Sequence, residues 1–140
     1  MISHNTNGFL VAIDGPNGAG KSALIEAVKQ RMKEQDIQIF ITREPTDSEF
    51  GSFVRKFSEN HAGISLACMV AADRYKHIAE EILPELDKGK IVITDRYLLS
   101  SLILEGMDGI SAETILNLNL DIIRPDLQIA VFAAEGVLQR

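Results

Sequence analysis

The run Gly15-Pro16-Asn17-Gly18-Ala19-Gly20-Lys21-Ser22 is the stretch whose residue types and spacing imply chemistry most directly, and it fits the pattern GxxxxGK[ST]. Glycines let successive main-chain N–H groups turn inward without a Cβ clash, making a concavity that takes phosphate oxygens. In this pattern Lys21 reaches the β- and γ-phosphates of a nucleoside triphosphate, and the Ser22 hydroxyl ligates Mg²⁺. An apolar run, Phe9 to Ile13, precedes the loop, and Leu24, Ile25, Val28 and Met32 follow it at helical spacing. The loop is therefore expected between a buried strand and the N-terminus of an amphipathic helix, where the helix dipole also favours an anion. The expectation is a phosphate-binding loop, or P-loop.

Asp95 directly follows a second apolar run, Ile91 to Thr94. A carboxylate at the C-terminal end of a parallel strand faces the crevice where ligands bind, so Asp95 is a candidate to hold Mg²⁺ through water or to orient an acceptor. Bringing donor and acceptor phosphates together needs cations, and arginine binds phosphate with a planar fork. Arg43 follows the apolar run Ile37 to Ile41, Arg96 follows Asp95, and Arg74 stands beside Asp73 on a long helix. Arg31, Arg55 and Arg124 read as solvated surface charges. Arg43 precedes Glu44-Pro45, where an X–Pro bond can be cis and set a tight turn beside the site.

Strand and helix patterns alternate, which favours an α/β fold: a parallel sheet with helices on its faces. Thr46 and Glu49 have capping-box spacing, and Phe50, Phe53, Val54 and Phe57 behind them form a helical stripe read as core packing. Ile64 to Leu83 reads as a long helix, apolar on more than one face in its first half, kinked or restarted at Pro84 and stopped at Gly89. Ser111 is placed to cap a helix carrying Ile115, Leu118 and Ile122, and Leu127 to Phe132 reads as a fourth strand.

A chain of 140 residues that is 46% apolar suits one globular domain. The net charge of −6 disfavours bulk affinity for nucleic acid while leaving room for a local anion site. Cys68 is the sole cysteine, read as a small buried apolar residue in a reducing, cytoplasmic setting. No run is long and apolar enough to suggest a membrane span. His4, His61 and His77 form no ligand cluster in sequence, and His77 reads as structural.

Several ordered stretches resemble the thymidylate kinase family of P-loop nucleoside monophosphate kinases. They are IDGPNGAGKS (Ile13 to Ser22), TREP (Thr42 to Pro45), AADRYKH (Ala71 to His77), PELDKGKIVITDRYLLSS (Pro84 to Ser101) and RPDLQIAV (Arg124 to Val131). The resemblance implies the three-layer P-loop NTPase fold, ATP with Mg²⁺ as donor, and a nucleoside monophosphate, dTMP foremost, as acceptor. Lys21, Asp95 and Arg96 are then the catalytic residues, and Gly15 to Ser22 hold ATP. Ser22 and Asp95 serve the metal. Asn17, Arg43, Glu44, Pro45, Val70, Arg74, Arg96 and Ser100 form the acceptor site. A homodimer paired through long helices is implied as well.

The sequence also departs from the family. Val70 stands where a base-stacking Phe is usual, Asn17 where a carboxylate is common, Ile103-Leu104-Glu105 where AYQ is frequent, and Phe132 where an aspartate is usual. Fewer polar groups and no stacking ring in the base pocket imply an altered or loosened acceptor preference. The family's arginine-rich lid, adenine-contacting loop, and last strand and helix would follow residue 140, with Arg140 as a candidate first lid residue. Members with glycine at the Gly18 position look to that lid for a cation. The expectation is therefore a fragment or short form of the fold. Beside the kinase reading stands a second, a nucleotide-binding module with little catalysis. A simple hydrolase is a third, for which no residue is seen to position water.

Overall fold

The computed structural model describes residues 1–134. Arg140 lies outside the described residues. Four parallel strands, β1 (Phe9–Asp14), β2 (Ile39–Arg43), β3 (Ile91–Asp95) and β4 (Leu127–Ala130), form a sheet in the order β2-β3-β1-β4. The in-register partners Ile13 and Asp95, and Arg43 and Asp95, set the C-terminal ends of the first three strands level.

Alternation along β1 divides the core. Val11 and Ile13 turn to one face, where Ile25, Leu24 and Val28 of α1 (Lys21–Glu34) cover them. Leu10 and Ala12 turn to the other, against Ile78, Ile82, Leu86, Tyr97, Ile115 and Ile122. Helices on both faces make the three layers. The second face carries α2 (Glu49–Ser58), α3 (Ile64–His77), α4 (Leu83–Asp87), α5 (Leu98–Met107) and α6 (Ala112–Leu118). The chain leaves β1 towards β2 and leaves β3 towards β4, on opposite sides of the sheet. The crevice between the ends of β1 and β3 is thus a topological switch point, where ligands bind in such sheets.

Several local expectations are corrected. α2 is capped by Ser48, whose hydroxyl accepts from Gly51 N–H. Thr46 is not the cap because its N–H and hydroxyl both donate to the Asp73 carboxylate, at 2.7 Å each. The stripe on α2 is only partly core: Val54 is wholly buried and Phe50 and Phe57 are half-buried, whereas Phe53 is 57% exposed. Cys68 is exposed, since α3 turns Leu66, Ala67, Ala71 and Arg74 inward instead.

The helix over Ile64 to Leu83 restarts at Pro84 as expected, with the proline in the first turn of α4. A π-helical turn, Ile78–Ile82, carries it into α4. The wider turn makes room for a proline that lacks an N–H and whose ring would press on the preceding turn. Gly89, at φ 78°, then ends α4 as expected. Its N–H bonds the Leu86 carbonyl and Lys90 N–H bonds that of Glu85, a Schellman closure. The second strand begins at Ile39 rather than Ile37, and the fourth ends at Ala130 rather than Phe132, which is 82% exposed. No helix among the described residues is long and apolar enough to cross a membrane.

Candidate active site

A cleft of about 730 Å³ opens at the switch point. One wall is the turn from β1 into α1. Gly18 and Gly20 take φ of 77° and 99°, values that side chains rarely tolerate. Gly15 is required for a different reason: a Cβ there would meet the Val131 carbonyl oxygen at 2.4 Å. α1 starts on Gly20 with no side-chain cap and no acidic residue in its first turn. α2 and α6, by contrast, are capped by Ser48 and Ser111 and carry Glu49 and Glu113. The first N–H groups of α1 therefore stay open to an anion.

Lys21 is buried, and its Nζ donates to the carbonyls of Gly15 at 2.8 Å and Pro16 at 3.1 Å. Burial, and after it the nearby Arg96 charge, lower its pKa below the usual lysine value. Ser22, Asn17, Gly18, Gly20 and Asp95 line the same cleft. Gly15, Pro16 and Ala19 complete the turn, which Ala19 N–H closes on the Pro16 carbonyl. Asp95 Oδ1 is buried without a hydrogen-bond partner among the described residues. An orphaned carboxylate oxygen costs free energy unless a ligand completes it. The Ser22 hydroxyl lines the same cleft, and both groups offer oxygen, the donor type that Mg²⁺ takes.

Arg96 joins the two strand ends. It holds a positive φ of 78°, unusual for a side chain and of the kind found at functional sites. Its guanidinium donates to the Gly15 carbonyl at 3.2 Å, to Ser100 Oγ at 3.2 Å and to Asn17 Oδ1 at 2.6 Å. Ser100 in turn donates to Asp14 Oδ1 at 2.5 Å. Asp14 also accepts from the N–H groups of Tyr97 and Ser100 and from Gln128. Asp14 was not singled out from sequence, although it closes its apolar strand just as Asp95 does.

The opposite wall carries Arg43, Glu44, Pro45, Val70 and Arg74. The Glu44–Pro45 peptide is cis. Arg43 is exposed and pairs with Asp47 at 2.6 Å. Arg55 is corrected from a surface charge to a cleft residue: it donates to the carbonyls of Pro45 at 2.5 Å and Thr46 at 3.2 Å. Nothing in the sequence fixes which way α2 faces, so no signal could have placed it. Arg31 and Arg124 are exposed as expected.

Arg74 lies at the base of the cleft, 1% exposed. Its donors go to Glu44 at 2.7 Å, Asn119 at 2.8 Å, Ser101 at 3.0 Å and the Tyr97 carbonyl at 3.1 Å. Its ring-facing side lies over Tyr97, 5.3 Å from the centroid. His77 bridges Glu44 and Thr42, the structural role expected of it.

Fold and loop define a P-loop protein of the α/β class. The sequence profile of the family described as thymidylate kinase matches residues 13–139. A Pyrococcus abyssi protein named "Probable thymidylate kinase" is 38% identical over 130 residues, 87% of this chain and 63% of that protein. A thymidylate kinase of Caldicellulosiruptor saccharolyticus is 36% identical over 142 residues, 95% of this chain and 69% of its own. The crystal structure of thymidylate kinase from Ehrlichia chaffeensis superposes with a TM-score of 0.80 at 26% identity, covering 91% of this chain and 78% of that one. The chain belongs to the thymidylate kinase family, and spans about two thirds of the length of these two sequence relatives.

Proposed function

We propose that the protein is an ATP-dependent nucleoside monophosphate kinase that transfers the γ-phosphoryl group of ATP to dTMP, giving dTDP. One observation carries this reading: a single cleft unites the open N-terminus of α1, Lys21 and Ser22 with Arg43, Arg55 and Arg96. Both a triphosphate tail and a monophosphate acceptor have cations there. Family membership and the named relatives support the choice of dTMP.

In this reading Lys21 leaves its carbonyl partners for the β- and γ-phosphates, and the loop N–H groups cradle them. Arg43 and Arg55 hold the acceptor phosphate. An oxygen of that phosphate attacks the γ-phosphorus, and the bond from γ-phosphorus to the β–γ bridging oxygen breaks. Arg96, held from Gly15, Asn17 and Ser100, faces the charge that builds between the two nucleotides. Ser22 and Asp95 would hold Mg²⁺, which supplies neutralisation of the phosphate oxygens when bound. Glu44, Pro45 and Val70 wall the acceptor side, and Arg74 forms its base. A homodimer suits the exposed line Ile64, Cys68, Ala72, Tyr75 and Ala79 along α3 and the turn after it.

The test is ADP release with ATP-Mg²⁺ across dTMP, dUMP, dCMP and dGMP. Stimulation greatest with dTMP, and loss of ATP binding in Lys21→Ala, is the expected result. ATP binding without stimulation by any acceptor leaves a nucleotide-binding module, and acceptor-independent hydrolysis leaves an ATPase.

A further inference from the structure

Away from the phosphate loop the cleft turns apolar, walled by Leu66 and Val70 of α3 and Leu104 of α5. Glu105, next to Leu104 on α5, lines the same cleft and is only 5% exposed. Among the described residues, no lysine, arginine or histidine forms a salt bridge with it. The neighbouring Arg74 spends its donors on Glu44, Asn119, Ser101 and the Tyr97 carbonyl. The charges around Glu105 are Arg74 from α3, Glu44 from the loop after β2, and Asp108 at the end of its own helix. Ser101 and Arg74 favour the charged form. Burial outweighs both and pushes the carboxyl up to about 7. The phosphate chemistry described above makes no use of this group.

We propose that Glu105 reads the imide edge of a pyrimidine-2,4-dione base as a neutral acid, its O–H donating to a ring carbonyl and its C=O accepting from the ring N–H. Acceptor binding then takes up one proton. The inference rests on the acceptor reading above and adds the residue and protonation state that select the base. A neutral carboxyl sets one donor beside one acceptor, which matches an imide edge; a carboxylate sets only lone pairs against the ring carbonyl. A flat ring entering between Val70 and Leu104 also expels water, which disfavours the charged form further. Base and proton therefore reinforce each other's binding, by linkage. A base presenting two adjacent N–H donors would favour the carboxylate instead, so the sign of the proton change identifies the edge.

Calorimetric titration of the chain with dTMP, at about pH 6 and about pH 8 in buffers of different ionisation enthalpy, tests this. The wild-type chain is expected to take up about 0.9 proton more per dTMP at pH 8 than Glu105→Gln, whose amide is a permanent donor-acceptor pair. The affinity ratio of the two chains should change about tenfold between these pH values, because the dTMP phosphate titrates alike in both. Glu105→Leu should bind more weakly at both pH values without the extra uptake. Equal proton uptake in wild type and Glu105→Gln, or no binding of dTMP at millimolar concentration at the lower pH, overturns the proposal. Binding with the extra uptake but without ADP formation from ATP overturns the kinase reading and leaves the assignment of Glu105 standing.

Discussion

Glu44→Gln should destabilise this protein far more than a change of one atom suggests. The Glu44 and Arg74 side chains are 4% and 1% exposed and meet at 2.7 Å. The second Glu44 oxygen meets His77 Nδ1 at 3.0 Å. A glutamine keeps the volume but offers only one acceptor oxygen, so its NH₂ must face either the Arg74 Nε–H or the His77 ring. At an effective dielectric of about 20, two unit charges at this separation attract by roughly 6 kcal/mol. Arg74 keeps Asn119, Ser101 and the Tyr97 carbonyl, which return part of that. Buried pairs broken at one partner lose about 3–5 kcal/mol, and we expect that range here.

The measurement is urea unfolding followed by circular dichroism. With an m-value of about 2 kcal/mol per molar urea for a chain of this size, the midpoint should fall by about 2 M with the slope unchanged. A domain of ordinary stability, about 5–15 kcal/mol, would lose a large share of it. A shift below about 0.5 M would refute the claim that this ion pair fixes the base of the cleft.

Three further outcomes follow from particular contacts. Gly51→Ala should destabilise by about 2–3 kcal/mol in thermal or urea unfolding, where an ordinary helical site would gain about 1. Its Cβ would meet Thr46 O at 2.2 Å and Thr46 N at 2.6 Å, and Asp73 holds that residue in place. Asp95→Asn should cut kcat about 100-fold or more without lowering the unfolding midpoint, because the Oδ1 it neutralises has no partner to lose. For Glu105 the folded pKa, about 7, lies above the ordinary carboxyl value of 4.5, so the folded state binds more protons between these values. Its contribution to stability therefore falls as pH rises through that window and is level above it. Glu105→Gln should match wild type near pH 4.5 and exceed it by up to about 3 kcal/mol at pH 8, read by unfolding at each pH.

What was legible in the sequence was what is local along the chain. The phosphate loop, Asp95 and Arg96 each follow an apolar run, so strand period and strand end place them without knowledge of the rest. Residues brought in by helix packing were not legible. A 3.6-residue period says that α2 has an apolar face but not what lies over it, and so Phe53 was read as core and Arg55 as surface. The same limit applies to Cys68, since α3 is apolar on several sides and only the sheet decides which side is covered. The spacing pointed to Thr46 as the cap of α2, but Asp73, from another helix, engages Thr46 and leaves the cap to Ser48. Glu105 was visible as a departure from the family pattern, but its burial depends on α3 and α5 meeting.

The cleft divides its polar groups by how well they are already satisfied, and the proposed kinase function would use that division. Asp14, Asp73, Glu44 and Arg74 are buried with close partners throughout, so moving any of them costs several hydrogen bonds. They fix positions and have little left to offer a ligand. Lys21 holds only neutral carbonyl oxygens. Arg43 holds Asp47 in a pair whose side chains are 53% and 73% exposed, worth at most about 1 kcal/mol. Asp95 has one oxygen with no hydrogen-bond partner among the described residues. In the proposed kinase, an arriving phosphate would displace the Lys21 and Arg43 contacts at little cost, an arriving cation would complete Asp95, and the saturated base beneath would not have to rearrange.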